Sequence, residues 1–193
     1  MAKGLLFTAP GAIALGAFDP GPVGPGQVRI RVAGCGLCHT DISFFTGAVR
    51  TKMPLPLVLG HEIAGTVVEA ADGLGQWVGQ DVLVPAVIPC DECPLCLDGR
   101  PNACQRQLMP GNDCHGGFAD EIIVPARHLV PVPADRGGYA LADLSVIADA
   151  VTTPYQAVER AGVQAGDLVI VIGIGGIGSY AVQIARARGA VSY

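Results

Sequence analysis

The chain has no long uninterrupted apolar run and no excess of positive charge. None of its 193 residues lies in a run approaching the ~18 apolar residues of a membrane span. A formal net charge of −5 argues against nucleic acid or an anionic membrane surface as a bulk partner. The N-terminus lacks the clustered positive charges of a signal peptide, and Gly and Pro interrupt its apolar run. We therefore expect a soluble, cytoplasmic protein that binds neither nucleic acid nor membrane.

The composition favours short strands and turns over long helices. Half of the residues are apolar, which allows a substantial core, and there are 27 Gly and 15 Pro. The seven cysteines are odd in number and have metal-type spacing. They are typical of thiolate ligands in a reducing compartment rather than of a disulfide framework.

Short strands are predicted through much of the first 150 residues. In Gln27–Ala33, Val28, Ile30 and Val32 alternate with polar residues, which is the period of a strand. Many such strands, separated by Gly and Pro, predict a β-rich, barrel-like domain. The further strands are predicted at Glu62–Ala70, Gln80–Val87 and Phe118–Val124.

A different pattern begins near residue 140. Two Ala-rich segments, Tyr139–Ala150 and Thr153–Ala161, are predicted to be helical. The continuous apolar run in Asp167–Ile172 is typical of a parallel strand buried on both faces. A helix at Ser179–Arg188 and the beginning of another strand at Ala190–Tyr193 follow. One βα unit cannot complete a doubly wound sheet, so we expect this chain to be the front part of a longer protein.

Four closely spaced cysteines give the strongest chemical signal. Their thiolates can converge around one tetrahedral ion at ~2.3 Å, and four protein ligands leave that ion no open position. We predict a structural zinc site; the alternative is a metal-free or oxidised loop. The four are Cys90, Cys93, Cys96 and Cys104.

A second metal site is indicated by Cys38 and His61. Alone, each would more often be a packed core residue, but together they supply a thiolate and an imidazole. Thr40 follows with a hydroxyl that can take a proton. A third ligand is required, and Asp149 is an acidic residue in an otherwise apolar run, where it is costly if unpaired. The alternative for Asp149 is a carboxylate that caps a helix end.

A glycine-rich turn follows the apolar run. Gly173, Gly175 and Gly178 have the G-x-G-x-x-G spacing, directly after a predicted buried strand and at the start of a predicted helix. Such a turn can hold a dinucleotide pyrophosphate at a helix N-terminus. The acidic residue expected ~20 positions further on lies past Tyr193.

Together these motifs resemble the zinc-dependent medium-chain alcohol dehydrogenases, from about Gln27 to the end of the chain. The resemblance implies a GroES-like β-rich catalytic domain at residues 1–150. It also implies the N-terminal part of a Rossmann cofactor-binding domain at residues 151–193. The implied cofactors are NAD and two zinc ions, one catalytic and one structural, and the implied assembly is a homo-oligomer. The implied activity is oxidation of a small-molecule alcohol.

The resemblance also assigns roles to single residues. Cys38 and His61 match the first two catalytic zinc ligands, and Glu62 matches a glutamate that can approach the metal. Thr40 matches the hydroxyl that takes the alcohol proton, and His39 matches a cofactor contact. The four-cysteine cluster matches the structural lobe. The cofactor turn is matched by Gly173, Gly175, Gly176, Ile177 and Gly178.

Two positions depart from the family pattern. Asp149 lies where the third zinc ligand is commonly a cysteine. Because polyol-type relatives have carboxylates there, we keep Asp149 as a ligand. Ser43 lies where several members have a relay histidine. The proton must then leave by another route, through water or through His39.

A closer resemblance is to the 6-hydroxycyclohex-1-ene-1-carbonyl-CoA dehydrogenases of anaerobic benzoyl-CoA breakdown. It implies a CoA-thioester alcohol as substrate and a conjugated ketone as product. His115 is then either part of the substrate pocket or a histidine of a surface loop. Two alternatives remain open: a polyol- or threonine-type zinc dehydrogenase, and a non-catalytic zinc-stabilised binding module. The segments that resemble this subfamily are Gly34–Thr40, Phe44–Thr51, Pro85–Cys90 and Pro110–Phe118.

Overall fold

The computed structural model describes all 193 residues. None of its helices has the length and apolar composition needed to cross a bilayer. The α-helices are α1 (His39–Phe45), α2 (Pro94–Leu97), α3 (Thr152–Arg160) and α4 (Gly176–Ala187). Short 3₁₀ segments lie at Gly75–Trp77, Pro101–Ala103 and Leu141–Ala148. The strands are β1 (Ala2–Ala9), β2 (Ala12–Phe18), β3 (Gln27–Gly36), β4 (Leu57–Val58), β5 (Glu62–Ala70), β6 (Asp81–Val84), β7 (Glu121–Pro125), β8 (Val130–Pro131), β9 (Leu168–Val169) and β10 (Val191–Ser192).

The largest sheet is five-stranded and antiparallel, in the order β7-β3-β5-β6-β8. Its main core has Val28 and Ile30 of β3 at its centre, both fully buried. These are two of the apolar positions of the predicted alternation, so the period-two pattern correctly identified the buried face of this strand. The predicted β5 has the observed bounds.

The pairing of β3 with β5 sets up the site. In this register Gly36, at the end of β3, lies opposite Glu62, at the start of β5. Cys38 follows β3 by two residues and His61 immediately precedes β5. Because antiparallel partners bring the end of one strand to the start of the other, Cys38 and His61 come together although they are distant in sequence.

A smaller, three-stranded sheet contains the N-terminal strands β1 and β2. It has the order β2-β1-β4 and packs around Phe18 and Val58. The sequence analysis predicted no strand before residue 27. The predicted β6 ends three residues after the observed strand, and the predicted β7 begins three residues before the observed one. The chain bends at Ala86 and Val87, after β6, and at Phe118 and Asp120, before β7, so these predicted strand residues lie outside the strands.

The last 40 or so residues form a separate group of contacts, in which α3 packs on α4 beside the parallel pair β9 and β10. The parallel pairing agrees with the prediction, but burial on both faces was wrong. Leu168 is 63% exposed and Ile172 is 96% exposed. The reason is that β9 has one neighbouring strand, and that Val169 is its only residue packed against the apolar cluster of α3 and α4.

The Ala-rich segment before α3 was also predicted incorrectly. Tyr139–Ala150 was expected to be a helix, but the structure has a 3₁₀ segment at Leu141–Ala148 that ends at Asp149. The Asp149 backbone has φ −139° and ψ −64°, outside the helical region. This break turns the chain before α3 begins, and it directs the Asp149 side chain toward the β3–β5 junction.

Candidate functional site

Four metal-type side chains converge where β3 ends and β5 begins. The donor atoms of Cys38, His61, Glu62 and Asp149 all lie within 4.8 Å of one another. Oδ2 of Asp149 is 3.3 Å from Nε2 of His61 and 3.5 Å from Sγ of Cys38. The structure therefore brings together the four residues that the sequence analysis proposed for this centre.

Asp41 connects the two strand ends that hold these ligands. Cys38 is the N-cap of α1, and its backbone N–H donates to Oδ2 of Asp41 at 3.0 Å. The other oxygen, Oδ1, accepts the N–H of Gly60 at 3.1 Å and lies 3.3 Å from Nδ1 of His61. Asp41 is only 2% exposed. One buried carboxylate thus fixes the helix start that presents Cys38 and faces the ring of His61.

The charges at this centre favour a cation. Burial by itself lowers the pKa of His61, but the carboxylates of Asp149 and Asp41 outweigh it and raise the pKa to about 10. The hydrogen bond with His61 lowers the pKa of Asp149 to about 2, against the effect of burial. The carboxylates of Asp149 and Asp41, which favour a proton on His61, also favour a metal ion bound at its Nε2 atom.

Glu62 is the more enclosed of the two carboxylates in the cluster, at 4% exposure. Burial raises its pKa, and the nearby Asp149 adds to the effect. Its carboxyl group lies directly over Gly36, where the first atom of any side chain would be 3.0 Å from Cδ of Glu62. The absence of a side chain at Gly36 therefore leaves the space that the Glu62 carboxyl group occupies.

The donor set fits a metal ion with an open position. A thiolate, an imidazole and a carboxylate are the ligand types that zinc binds, and three protein ligands plus one exchangeable position are typical of catalytic zinc. The side chain of Asp149 caps no helix, because the N-cap of α3 is Val151 and has no side-chain cap hydrogen bond. Oδ2 of Asp149 faces the cluster, whereas Oδ1 accepts the hydroxyl of Thr153 in the first turn of α3, at 2.5 Å.

The four-cysteine cluster also has the geometry of a metal site. Ligands at ~2.3 Å from a tetrahedral ion lie ~3.8 Å apart. The Sγ–Sγ distances are 3.5 Å for Cys93–Cys96, 3.8 Å for Cys93–Cys104 and 4.0 Å for Cys90–Cys96. No disulfide joins any of them. The spacing fits a closed tetrahedral centre.

The thiols of this cluster do not all ionise easily on their own. Backbone N–H groups of Gln105 and Cys96 lower the pKa of Cys93 to about 6. Burial and the neighbouring Cys93 raise the pKa of Cys96 to about 12. The two pKa values differ because a thiolate at Cys93 disfavours a second thiolate at Cys96. A divalent cation would offset this repulsion and allow both thiols to ionise, as expected for a structural metal site.

Two large cavities flank the first cluster and share Asp149 and Thr153. The first, of about 970 Å³, extends past Ala86 toward Asn102 near the four-cysteine segment. The second, of about 1070 Å³, contains Cys38 and Glu62 on one wall. His39 also lines this cavity. So do the residues of the glycine turn that were predicted to bind a cofactor: Gly173, Gly175, Gly176, Ile177 and Gly178.

The glycine turn has the backbone shape that its sequence predicts. Gly173 has φ +94°, which other residues rarely adopt. A side chain at Gly178 would collide with the carbonyl oxygen of Gly173. The turn opens α4, whose N-cap is Gly175. Free N–H groups at such a helix start can bind phosphate oxygens.

Thr40 and His115 differ in their relation to the site. Oγ1 of Thr40 is 3.7 Å from Sγ of Cys38, so this hydroxyl borders the metal cluster. His115 lines neither large cavity. Its ring packs on Phe18, and Nδ1 accepts the N–H of Val58 at 3.2 Å. This arrangement holds β4 to the loop that contains His115.

Residues 24–134 match the model of the alcohol dehydrogenase GroES-like domain. A Geobacillus stearothermophilus alcohol dehydrogenase is 37% identical over 85% of the chain. The chain belongs to the zinc-type medium-chain alcohol dehydrogenase family. A second member, the D-arabinose 1-dehydrogenase (NADP(+)) of Saccharolobus solfataricus, is 35% identical over 87% of the chain. Because the match covers 48% of each of these relatives, the chain spans about half their length.

A solved structure of this family extends the match to the whole chain. The cobalt- and zinc-bound thermostable alcohol dehydrogenase of Pyrobaculum aerophilum superposes with a TM-score of 0.90 at 32% identity. The match covers 100% of this chain and 58% of that one. The expected fold, a GroES-like domain followed by the beginning of a Rossmann domain, is confirmed.

Two residues near the site had no assigned role in the sequence analysis. Asp41 lies three residues after Cys38, the spacing of a capping box, and this spacing was the available signal. Thr153 had no comparable signal. Its contact with Asp149 depends on the 3₁₀ segment, which the sequence pattern did not predict.

Proposed function

We propose that the protein containing this chain oxidises an alcohol with zinc and a nicotinamide dinucleotide, NAD or NADP. The observation that supports this most is the second cavity. Cys38 and Glu62, members of the metal-type cluster, and the glycine turn line the same space. The relatives named above include alcohol dehydrogenases and an NADP(+) enzyme. The proposed division of labour is residues 1–150 for catalysis and residues 151–193 for the start of cofactor binding.

Cys38, His61 and Asp149 would hold the catalytic zinc, with Glu62 as a nearby fourth donor. Zinc supplies a Lewis acid that makes the hydroxyl of a bound alcohol easier to deprotonate. The four cysteines would hold the structural zinc and keep residues 90–104 in place. His61 is itself oriented by the carboxylate that faces its other nitrogen, an arrangement typical of metal-bound histidines.

The proton and the hydride would leave the substrate in different directions. The hydroxyl of Thr40 would accept the alcohol proton, because Oγ1 borders the cluster on the side of Cys38. The C–H electron pair would pass to the nicotinamide ring, which supplies the hydride acceptor. His39 and the glycine turn would hold the dinucleotide along the second cavity. Ser43 donates to the carbonyl of His39 and contributes no imidazole for proton exit.

Within this function we propose 6-hydroxycyclohex-1-ene-1-carbonyl-CoA as substrate, giving the 6-oxo product in anaerobic aromatic degradation. The proposal depends on the four segments that resemble that subfamily. A second candidate is a sugar- or polyol-type substrate. It is favoured by the 35% identity to the D-arabinose enzyme and by a carboxylate at position 149.

Formation of reduced nicotinamide, followed by its absorbance, tests the function. We expect the wild-type protein to reduce NAD or NADP with an alcohol, and Cys38→Ala to lose this activity almost completely. Cys114→Ala is the matched control, because this thiol lines neither cavity and belongs to neither cluster. Near-normal turnover by Cys38→Ala would contradict the assignment. Comparing the CoA thioester with D-arabinose and simple secondary alcohols decides between the substrates.

A further inference from the structure

The two carboxylate oxygens of Asp149 have different partners. Oδ2 faces the cluster, 3.3 Å from Nε2 of His61 and 3.5 Å from Sγ of Cys38. Oδ1 accepts a hydrogen bond from Oγ1 of Thr153 at 2.5 Å. The side chain of Asp149 therefore presents one oxygen to the site, and its other oxygen is already hydrogen-bonded outside it.

This asymmetry has a chemical consequence that is specific to a carboxylate. A thiolate offers a metal a single donor atom, whereas a carboxylate can bind through one oxygen or through both. Glu62 is a further carboxylate within the same 4.8 Å cluster. If Asp149 bound through both oxygens, it would occupy the coordination position that a substrate hydroxyl needs. Something must keep Oδ1 away from the metal.

Local structure places Thr153 at the position required for this role. It lies in the first turn of α3, four residues after Asp149, and its backbone N–H also donates to the carbonyl of Asp149 at 2.8 Å. Its neighbour Thr152 is oriented differently, and its hydroxyl donates to the carbonyl of Ala148 at 3.1 Å. Two adjacent threonines thus differ in whether their hydroxyl reaches the Asp149 side chain.

We propose that Thr153 is a positioning residue that holds Asp149 as a one-oxygen ligand and so keeps one coordination position open. The inference rests on the proposed metal site of Cys38, His61 and Asp149. The hydroxyl of Thr153 donates to Oδ1, so Oδ2 is the oxygen of Asp149 that faces Cys38 and His61 and would bind the metal. An outer-shell hydrogen bond of this kind typically changes metal affinity by about 10- to 100-fold.

Cobalt(II) binding to the purified protein, followed by its visible spectrum, tests the proposal. The variants are Thr153→Val, which removes the hydroxyl at similar volume, and Thr153→Ser, which keeps it. Thr152→Val is the matched control. The spectrum of Cys38→Ala supplies the signal of the four-cysteine site, which is subtracted. Each variant that retains this signal has an intact four-cysteine segment.

We expect Thr153→Val to bind the second cobalt about 10-fold or more weakly. We also expect a changed visible spectrum, since a second oxygen of Asp149 would replace the exchangeable ligand at the open position. Thr153→Ser and Thr152→Val should keep the wild-type affinity and spectrum. If Thr153→Val fails to fold, Thr153→Ala replaces it and should behave in the same way.

A wild-type spectrum and affinity for Thr153→Val would overturn the inference, and so would equal losses in Thr152→Val. These results differ from failure of the proposed function. If the wild-type protein binds one cobalt only, with the four-thiolate spectrum alone, the metal site itself is absent and both proposals are wrong.

Discussion

At the scale of single residues, Asp41 does the most to organise the site. Its two oxygens bind the backbone at Cys38 and Gly60, and one of them faces the ring of His61. Cys38, after β3, and His61, before β5, are thereby held in one arrangement before any metal binds. The effect of Asp41 is indirect, since it lies outside the four donors that converge.

His115 leads to a prediction on pH. Burial lowers its pKa below the ordinary 6.5, and Nδ1 accepts the N–H of Val58. A folded state that prefers neutral histidine is fully stabilised above the unfolded-state pKa and loses this stabilisation as the pH falls below it. In His115→Asn, the amide oxygen can accept the same N–H without titrating. We expect this variant to lose less stability than wild type between about pH 7.5 and pH 5.5.

Urea unfolding of both proteins across this range measures the effect. Groups other than residue 115 titrate in both proteins, so the difference between the two pH profiles isolates His115. Parallel profiles would show that His115 is not held in its neutral form and would contradict the assigned contact.

The sequence was sufficient for residues whose chemistry is unusual at their position. Four cysteines in a short segment indicated metal ligands by their spacing, and Cys38 and His61 did so as a pair that supplies a thiolate and an imidazole. Asp149 was predicted because a carboxylate is costly in an apolar run. Asp41 and Thr153 were missed, because polar residues near helix starts are common and only the folded chain brings them to the ligands.

At the scale of secondary structure, residues 90–104 depend on their cysteines. The segment contains only the four-residue α2 and a 3₁₀ turn, and no buried apolar side chain other than its cysteines belongs to it. Its free energy of folding must come largely from metal binding. We predict that Cys96→Ser weakens this metal site by more than about 10-fold and loosens the segment.

Trypsin cleavage after the exposed Arg106 reports this loosening, because the Arg106 N–H donates to Sγ of Cys104 in the intact lobe. Cys96→Ser should be cut faster than wild type, and Cys114→Ser at the wild-type rate. Equal cleavage of Cys96→Ser and wild type would mean that the segment holds its shape without the four-thiolate site.

Strands were predicted correctly from the apolar pattern where they have neighbouring strands on both sides in the sheet. β3 and β5 were found from their composition because both lie in the interior of the large sheet. The apolar run at β9 was correctly predicted as a parallel strand, but its burial depends on neighbours that this chain does not supply. The N-terminal strands were missed because β2 has mostly exposed side chains and shows no clear alternation.

At the scale of the whole molecule, two separate clusters of metal-type side chains have different surroundings. One cluster consists of the four cysteines of residues 90–104. The other lies between two cavities, beside a turn suited to a dinucleotide. A zinc-stabilised binding module would need only the first cluster, whereas zinc-dependent alcohol oxidation needs the second, with its open position. The family match supports the second alternative, and the chain spans about half of the relatives.

The number of zinc ions bound per chain, measured on purified protein by elemental analysis, tests this account most directly. We expect about two zinc ions in the wild-type protein and about one in both Cys38→Ala and Asp149→Ala, because each variant removes a ligand of the open centre and leaves the four thiolates intact. One zinc ion in the wild-type protein, or two retained in Cys38→Ala, would contradict the existence of a second centre at Cys38, His61 and Asp149.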